Sequence, residues 1–267
     1  CSDTVGFNNS GTVDVQTGTL LLLGGGTSSG SFTVASGATL AFGGGTHSLN
    51  AGSSLTVAGT LLVSGGAVNL DGTGTVSGTT TVSGGALTLN SGITSTTGST
   101  NLSGGTLTVN TGATASTVGG SFSGGTLAGT GTFTVAASNG TYTWTGGTIS
   151  GGTLAVAPLG TLLLSGGSDK NVFAAGTVTN AGTVTWTGGR LVLAQSATIT
   201  NSGLWDAQGD NAIVSFGGNS GSGTFTNTGT VRKSAGTGTT TIGGSACFFF
   251  CSDTVGFNNS GTVDVQT

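Results

Sequence analysis

The chain has 267 residues, of which 56 are Gly and only 4% are charged, and its formal net charge is −4. Four basic residues are too few to form a phosphate-binding surface, and no apolar run reaches the roughly 18 residues of a membrane helix, so we expect neither nucleic acid binding nor membrane insertion by this segment. Hydrophobic residues still make up 34% of the chain, which argues against disorder and indicates a buried core.

Regularly spaced double glycines mark a repeat that runs from Gly25 to Gly189. Short runs with an apolar residue at every second position lie between them, for example Ser31–Val34, Ser54–Val57 and Thr106–Val109. This period of two predicts β-strands that turn at glycine, and no run has the spacing of three and four that predicts a helix. The double glycines begin at Gly25, Gly44, Gly65, Gly84, Gly104, Gly124, Gly146, Gly166 and Gly188.

Around and beyond Gly189 the turns carry asparagine instead. Asn180, Asn201, Asn227 and Asn259 each lie two residues before a glycine, and the intervals between them lengthen along the chain. Asparagine tolerates the left-handed backbone of tight turns, and stacked asparagine side chains hydrogen-bond to one another. We therefore expect these four residues to form stacking turns, with insertions in the longer intervals.

A repeat of about 20 residues with two or three short strands has the size of one rung of a β-helix. The chain is therefore predicted to be all-β, with no helix, and to form a parallel β-solenoid of roughly 12 rungs. Each rung of a solenoid buries its apolar side chains against the rungs before and after it. An uncovered end rung therefore invites another chain to add.

Residues 1–17 return unchanged as residues 251–267. We interpret residues 1–250 as one solenoid repeat unit and residues 251–267 as the first rung of the next unit. The sequence leaves open whether successive units belong to one long polypeptide or to separate chains.

Three cysteines lie at the seam between units, because Cys1 and Cys251 are the same position in successive copies and Cys247 is close to Cys251. They are candidates for a junction disulfide or for buried free thiols. A zinc site is disfavoured, because no second Cys or His pair lies at ligand spacing. The predicted assembly interface is made of nearby phenylalanines: Phe7, Phe248, Phe249 and Phe250.

Few residues of the chain suit catalysis. His47 is its one histidine, and it follows a double-glycine turn, where we expect it to face solvent. Asp206 and Asp210 are a close pair of carboxylates, which we interpret as part of a turn, with a calcium or sugar site as the weaker alternative. We expect no enzyme activity, no cofactor and no other metal site.

Three tryptophans lie in the strand pattern. Trp144 and Trp186 occupy the same phrase, Thr-Trp-Thr-Gly-Gly, and Trp205 follows Trp186 one repeat later. Stacked rings of this kind are candidates for a glycan-binding platform. In alternating strands, however, a column in the core or on one face is favoured.

The phrases Ser-Gly-Gly-Thr-Leu, Gly-Ala-Thr-Leu (37–40) and Asn-x-Gly-Thr-Val resemble the low-charge strand repeats of large bacterial surface proteins, namely autotransporter passengers and filamentous-haemagglutinin-type adhesins. The resemblance implies export, a right-handed parallel β-helix and a role in adhesion or matrix building. It implies no catalytic residues, because such repeats carry none.

These observations favour a structural function, in which units stack end to end into an extracellular or cell-surface filament through continuous backbone ladders. The partner is then the chain itself. The main alternative is an adhesin or glycan-binding stalk that contacts host or matrix surfaces. Ice binding is a minor alternative, because Thr-x-Thr recurs irregularly from Thr132, Thr141, Thr143, Thr183, Thr185, Thr198 and Thr224.

Overall fold

The computed structural model describes residues 5–90, 93–95, 98–137, 140–215, 221–245 and 254–266. These residues form 35 short β-strands joined by turns, and no helix occurs among them, so none of the described chain could cross a membrane as a helix. The all-β class is therefore confirmed. The chain divides into two compact units, Cys1–Phe133 and Thr134–Thr267, which are described separately.

In the first unit each strand pairs in parallel with the third strand before and after it in the chain, so that three sheets form. The first sheet contains β1 (Thr12–Val15), β4 (Ser31–Val34), β7 (Ser54–Val57), β10 (Thr73–Val76), β13 (Ile93–Ser95) and β16 (Thr114–Thr117). The second contains β2 (Thr19–Leu22), β5 (Thr39–Phe42), β8 (Thr60–Val63), β11 (Thr79–Val82), β14 (Ser99–Leu102) and β17 (Gly119–Phe122). The third contains β3 (Gly26–Ser28), β6 (Thr46–Leu49), β9 (Ala67–Leu70), β12 (Ala86–Leu89), β15 (Thr106–Val109) and β18 (Thr126–Gly129).

The second unit has the same three-sided pattern. Strand β19 (Thr132–Val135) spans the division between the units. The first sheet then contains β22 (Thr153–Val156), β25 (Thr177–Asn180), β28 (Thr198–Asn201), β31 (Thr224–Asn227) and β34 (Gly256–Asn259). The second contains β20 (Tyr142–Trp144), β23 (Thr161–Leu164), β26 (Thr183–Trp186), β29 (Leu204–Gln208), β32 (Thr230–Ala235) and β35 (Thr262–Val265). The third contains β21 (Gly147–Ser150), β24 (Lys170–Phe173), β27 (Leu191–Leu193), β30 (Ala212–Ser215) and β33 (Thr241–Ser245).

One rung is therefore three strands, one on each side. Thr12 lies opposite Ser31, 19 residues later in the chain. The rungs lengthen in the second unit, where Asn227 lies opposite Asn259, 32 residues later. The prediction of a parallel β-solenoid with about 20 residues per rung is confirmed.

The core consists of columns of inward side chains. In the first unit Leu87 lies in register between Val68 and Leu107, and these three residues are at most 2% exposed. A fully buried Val or Leu stabilises the fold by roughly 1.5–3 kcal/mol relative to an exposed one, so each column holds neighbouring rungs together. The corresponding column in the first sheet of the second unit is Val178, Ile199 and Phe225.

The double glycines are required by the turns for two different reasons. At Gly125 φ is +75°, a left-handed conformation that side chains disfavour. At Gly124 an added Cβ would lie only 2.6 Å from the backbone oxygen of Ser103 on the preceding rung. One glycine therefore makes the turn, and the other lets consecutive turns stack closely.

We predict that Gly78→Ala lowers the free energy of unfolding by about 2 kcal/mol, because the new Cβ would overlap the backbone oxygen of Gly59 on the preceding rung. Gly52→Ala is the matched control in the same unit, since its Cβ would meet nothing closer than 3.8 Å, and we expect a change within about 0.5 kcal/mol. Urea unfolding followed by circular dichroism measures both. Equal effects of the two substitutions would contradict this account of the turns.

Candidate functional site

A row of asparagine side chains runs along the second unit, at the end of successive strands of its first sheet. Nδ2 of Asn180 donates to Oδ1 of Asn201, Asn201 donates in the same way to Asn227, and Asn227 donates to Asn259. Each of the three N–O distances is 2.7 Å. The four asparagines that the sequence analysis placed in stacking turns are the last residues of their strands, and their side chains form one continuous hydrogen-bonded row that we call the asparagine stack.

The asparagine stack is buried, since Asn180, Asn201 and Asn227 are at most 1% exposed. Each amide also binds the backbone: Nδ2 of Asn201 lies 3.1 Å from the carbonyl oxygen of Thr230 on the next rung. A buried polar group costs free energy unless it is hydrogen-bonded, and an amide has both the donor and the acceptor that the neighbouring rungs require. This is why asparagine recurs here, where an apolar residue would break the row.

Asn9 is the equivalent of Asn259 in the first copy of the repeated segment. Its Oδ1 accepts a hydrogen bond from the backbone N–H of Gly11, and its Nδ2 donates to the carbonyl oxygen of Ser31 on the next rung, at 3.0 and 3.1 Å. Asn180 makes the same two kinds of contact, with Gly182 and Leu204. Asn9 therefore has the orientation of a member of the asparagine stack.

The second copy of the repeated segment, described from residue 254 to 266, packs on β31 and β32. Strand β34 pairs with β31, and β35 pairs with β32. Two side-chain contacts add to the backbone ladder: the rings of Phe225 and Phe257 are 5.4 Å apart, and Nε of Arg232 donates to Oδ2 of Asp264 at 3.3 Å. The segment is thus held by apolar, polar and ionic contacts together.

The first copy, described from Val5 to Thr17, lies against the rung that follows it. Asn9 forms a parallel bridge with Ser28, and β1 pairs with β4. The ring of Phe7 contacts that of Phe32, at 6.4 Å between centroids. The remaining residues predicted at the seam lie outside the described residues: Cys1, Cys247, Phe248, Phe249, Phe250 and Cys251.

The three tryptophans lie in the core. Trp144, Trp186 and Trp205 are at most 1% exposed. The indole N–H of Trp144 donates to Gly146 and that of Trp186 to Gly189, both at 2.9 Å to a backbone oxygen. Trp186 and Trp205 meet edge to face at 6.3 Å. A glycan platform needs an exposed ring face, and none of these three rings offers one.

The two carboxylates of the predicted pair have different surroundings. Asp206 lies in β29 and is 7% exposed, so the prediction that it forms part of a turn is wrong, because it occupies a strand position opposite Arg232. Asp210 does lie beyond the strand, where the ammonium of Lys233 hydrogen-bonds to it at 2.8 Å and lowers the pKa of its carboxyl. No cluster of three or more metal-ligating side chains occurs in the part of the chain that the structure describes.

Lys170 is a buried cation that the sequence pattern did not reveal. It is 0% exposed, and its ammonium donates to the carbonyl oxygens of Ser168 and Gly188, both at 3.1 Å. Burial lowers the pKa of Lys170, and nearby Asp169 acts in the opposite direction. The signal was present, because Lys170 precedes Val172 by two residues and so occupies an inward position of β24.

His47 also points into the core, so the expectation that it faces solvent is wrong. The side chain is 2% exposed and packs edge-on against Phe42 at 4.8 Å, with Nε2 lying 3.0 Å from the carbonyl oxygen of Gly44. Burial lowers the pKa of His47, and the hydrogen bond with Gly44 opposes this. Strand β6 begins at Thr46, directly after the double glycine, and its alternation places His47 inward together with Leu49.

These features define a class: a parallel β-solenoid with inward apolar columns and a side-chain stack along one turn. Comparison of the chain with protein-family models, with curated proteins and with solved structures gives no match.

We predict that Asn201→Ala lowers the free energy of unfolding by about 1–3 kcal/mol, because Asn180 and Asn227 each lose a hydrogen-bond partner in a buried row. Asn259→Ala is the matched control in the same stack. Asn259 is exposed and accepts from only one stack neighbour, so we expect a loss of at most about 1 kcal/mol. Urea unfolding midpoints distinguish the two, and a larger loss for Asn259 would refute the buried role of the stack.

The lowered pKa of His47 predicts a pH-dependent stability. Above about pH 6.5 the ring is neutral in the folded and the unfolded chain, and its contribution is complete. As the pH falls from about 6.5 towards the lower folded-state pKa, the unfolded chain binds the proton first, so stability declines. We expect His47→Leu to flatten the change in unfolding midpoint between pH 7 and pH 5, whereas an unchanged slope would exclude His47 as its source.

Proposed function

We propose that this chain is a structural β-solenoid whose rungs are continued end to end by further copies of the same unit, in an extracellular filament like those of bacterial surface proteins. The observation that carries the proposal is the location of exposed large apolar side chains. Among the described residues there are seven such side chains, and six of them lie on the first or the last described rung: Val5, Leu21, Leu23, Phe257, Val263 and Val265.

Side chains at the outer edge of a solenoid rung are covered when another rung stacks on it. Val265 shows the difference, because it is 66% exposed whereas the identical Val15, which has a following rung, is 7% exposed. Covering such side chains provides the hydrophobic driving force for association, and the parallel backbone ladder provides its direction. The same surfaces meet whether the units are parts of one polypeptide or separate chains.

The low charge of the chain supports stacking. Thr39, Thr60 and Thr79 lie in register on successive rungs of the first unit, and an ionised residue at such a position would repel its copies above and below. In the second unit, Arg190, Arg232 and Lys233 each contact an aspartate of a neighbouring rung or turn. Like charges are thereby kept from meeting along the solenoid.

The two alternative functions have less support from the described side chains. An adhesin or glycan-binding stalk would use Trp144, Trp186 and Trp205, which are buried. An ice-binding face needs Thr-x-Thr in register along many rungs. The motif is in register only over the three rungs of β25, β28 and β31, because Ala155 replaces its second threonine before them and Gly256 and Asn258 replace both threonines after them. We therefore favour the filament.

We expect Leu21→Asp to reduce filament formation at least about tenfold, because the charge would be placed in the apolar surface of the outer rung. Leu159→Asp is the control, since Leu159 is 84% exposed but lies in a turn between β22 and β23, away from the outermost rungs, and should leave assembly unchanged. Negative-stain electron microscopy and sedimentation of the refolded chain give both readouts.

Only dispersed particles from the unaltered chain at high concentration would refute the filament. Equal loss of assembly in the Leu21 and Leu159 variants would show that the outer rung has no special part in it.

A further inference from the structure

The repeated segment is seen in two settings that reveal opposite faces of one rung. Val5 is 89% exposed, but the identical Val255 is 4% exposed, because the second copy has a rung before it. Conversely, Val15 is 7% exposed and Val265 is 66% exposed, because the first copy has a rung after it. The surface that each copy leaves open is the one that the other copy has covered.

The second copy shows what covers the open face. It pairs with β31 and β32, where Asn227 lies opposite Asn259 and Arg232 lies opposite Asp264. In the first copy, Asn9 has the orientation of the asparagine stack, and the one polar contact described for the Asp14 carboxylate is with its own neighbour Gln16, at 2.7 Å. The corresponding contact of Asp264 with Gln266 is 2.8 Å, so Asp14 has the conformation that accepts an arginine.

We propose that residues 5–16 of a second copy of this chain dock on β31 and β32, in the register now held by residues 254–266. This inference rests on the proposed filament and specifies its joint. Asn227 then donates to Asn9 of the second copy, Arg232 pairs with its Asp14, and Phe225 packs against its Phe7. Residues 254–266 occupy the same site within the chain and therefore compete with the incoming copy.

The incoming copy has one advantage over the resident segment. In the incoming copy, strand Thr19–Leu22 follows Thr12–Val15 on the next side of the rung. There it reaches β33 of the receiving chain, the last described strand of the third sheet. Leu21 and Leu23, about half exposed in the present structure, are carried to this joint. Three strands then pair across it, compared with two for residues 254–266. The resident segment has the advantage of being tethered, with an effective concentration on the order of millimolar.

Disulfide trapping between two different chains tests the joint. Thr226 lies opposite Asn258, whose equivalent in the first copy is Asn8, so one chain carries Thr226→Cys and the other carries Asn8→Cys. Both chains carry Cys1→Ser, Cys247→Ser and Cys251→Ser, so that a disulfide can form only through the introduced cysteines. The chain with both Thr226→Cys and Asn258→Cys reports whether this register permits a disulfide at all.

In the chain that carries Thr226→Cys, two further substitutions weaken the resident segment. Phe257→Asp removes the aromatic contact with Phe225, and Asp264→Lys places a positive charge beside Arg232. We expect about tenfold more linked dimer than with the resident segment intact. The matched control adds Phe7→Asp and Asp14→Lys to the chain that carries Asn8→Cys, and should abolish the gain. Asp264→Lys alone should raise the yield of linked dimer, and Asp14→Lys alone should lower it. Neither substitution alters the apolar core.

Absence of linked dimer, while the internal Thr226–Asn258 disulfide forms, would overturn the proposed joint. Electron microscopy of the same samples then separates the two proposals. Filaments without the link would leave the filament function standing with a different joint, and dispersed particles without the link would remove both.

Discussion

The constraint on which this structure depends is that each side chain meets its counterpart about 4.8 Å away on the next rung. Apolar residues satisfy it by forming inward columns, such as Val68, Leu87 and Leu107. Neutral polar residues satisfy it by exchanging hydrogen bonds, as in the asparagine stack. Charged residues satisfy it poorly, because identical neighbours repel, which accounts for their scarcity.

Glycine answers the same constraint at the turns. A side chain at Gly124 would enter the space of Ser103 on the preceding rung, so the double-glycine turns stack closely because this position carries no side chain. Thus the abundance of glycine, which in an ordinary chain suggests disorder, here accompanies regular structure. The apolar alternation between the glycines distinguishes the two cases.

The fold was predictable because the double glycines and the period of two both repeat, and a repeated local signal fixes strands, turns and rung length together. The asparagine stack was predictable for the same reason. His47 and Lys170 were not, because each occurs once, in a polar residue type that usually lies outside. The strand alternation does place them inward, with Leu49 and Val172 respectively, but their residue types indicate an outward position. Asp206 was misplaced because β29 continues through it to Gln208.

The asparagine stack has a direction, since every Nδ2 donates towards the rung that comes later in the chain. Two surfaces that both present donors, or both present acceptors, do not match, so such a row joins only head to tail. A contact of this heterologous kind does not close on itself as a symmetric dimer does, and it produces open assemblies. A filament continued through this row would therefore be polar, with two chemically different ends that add subunits at different rates.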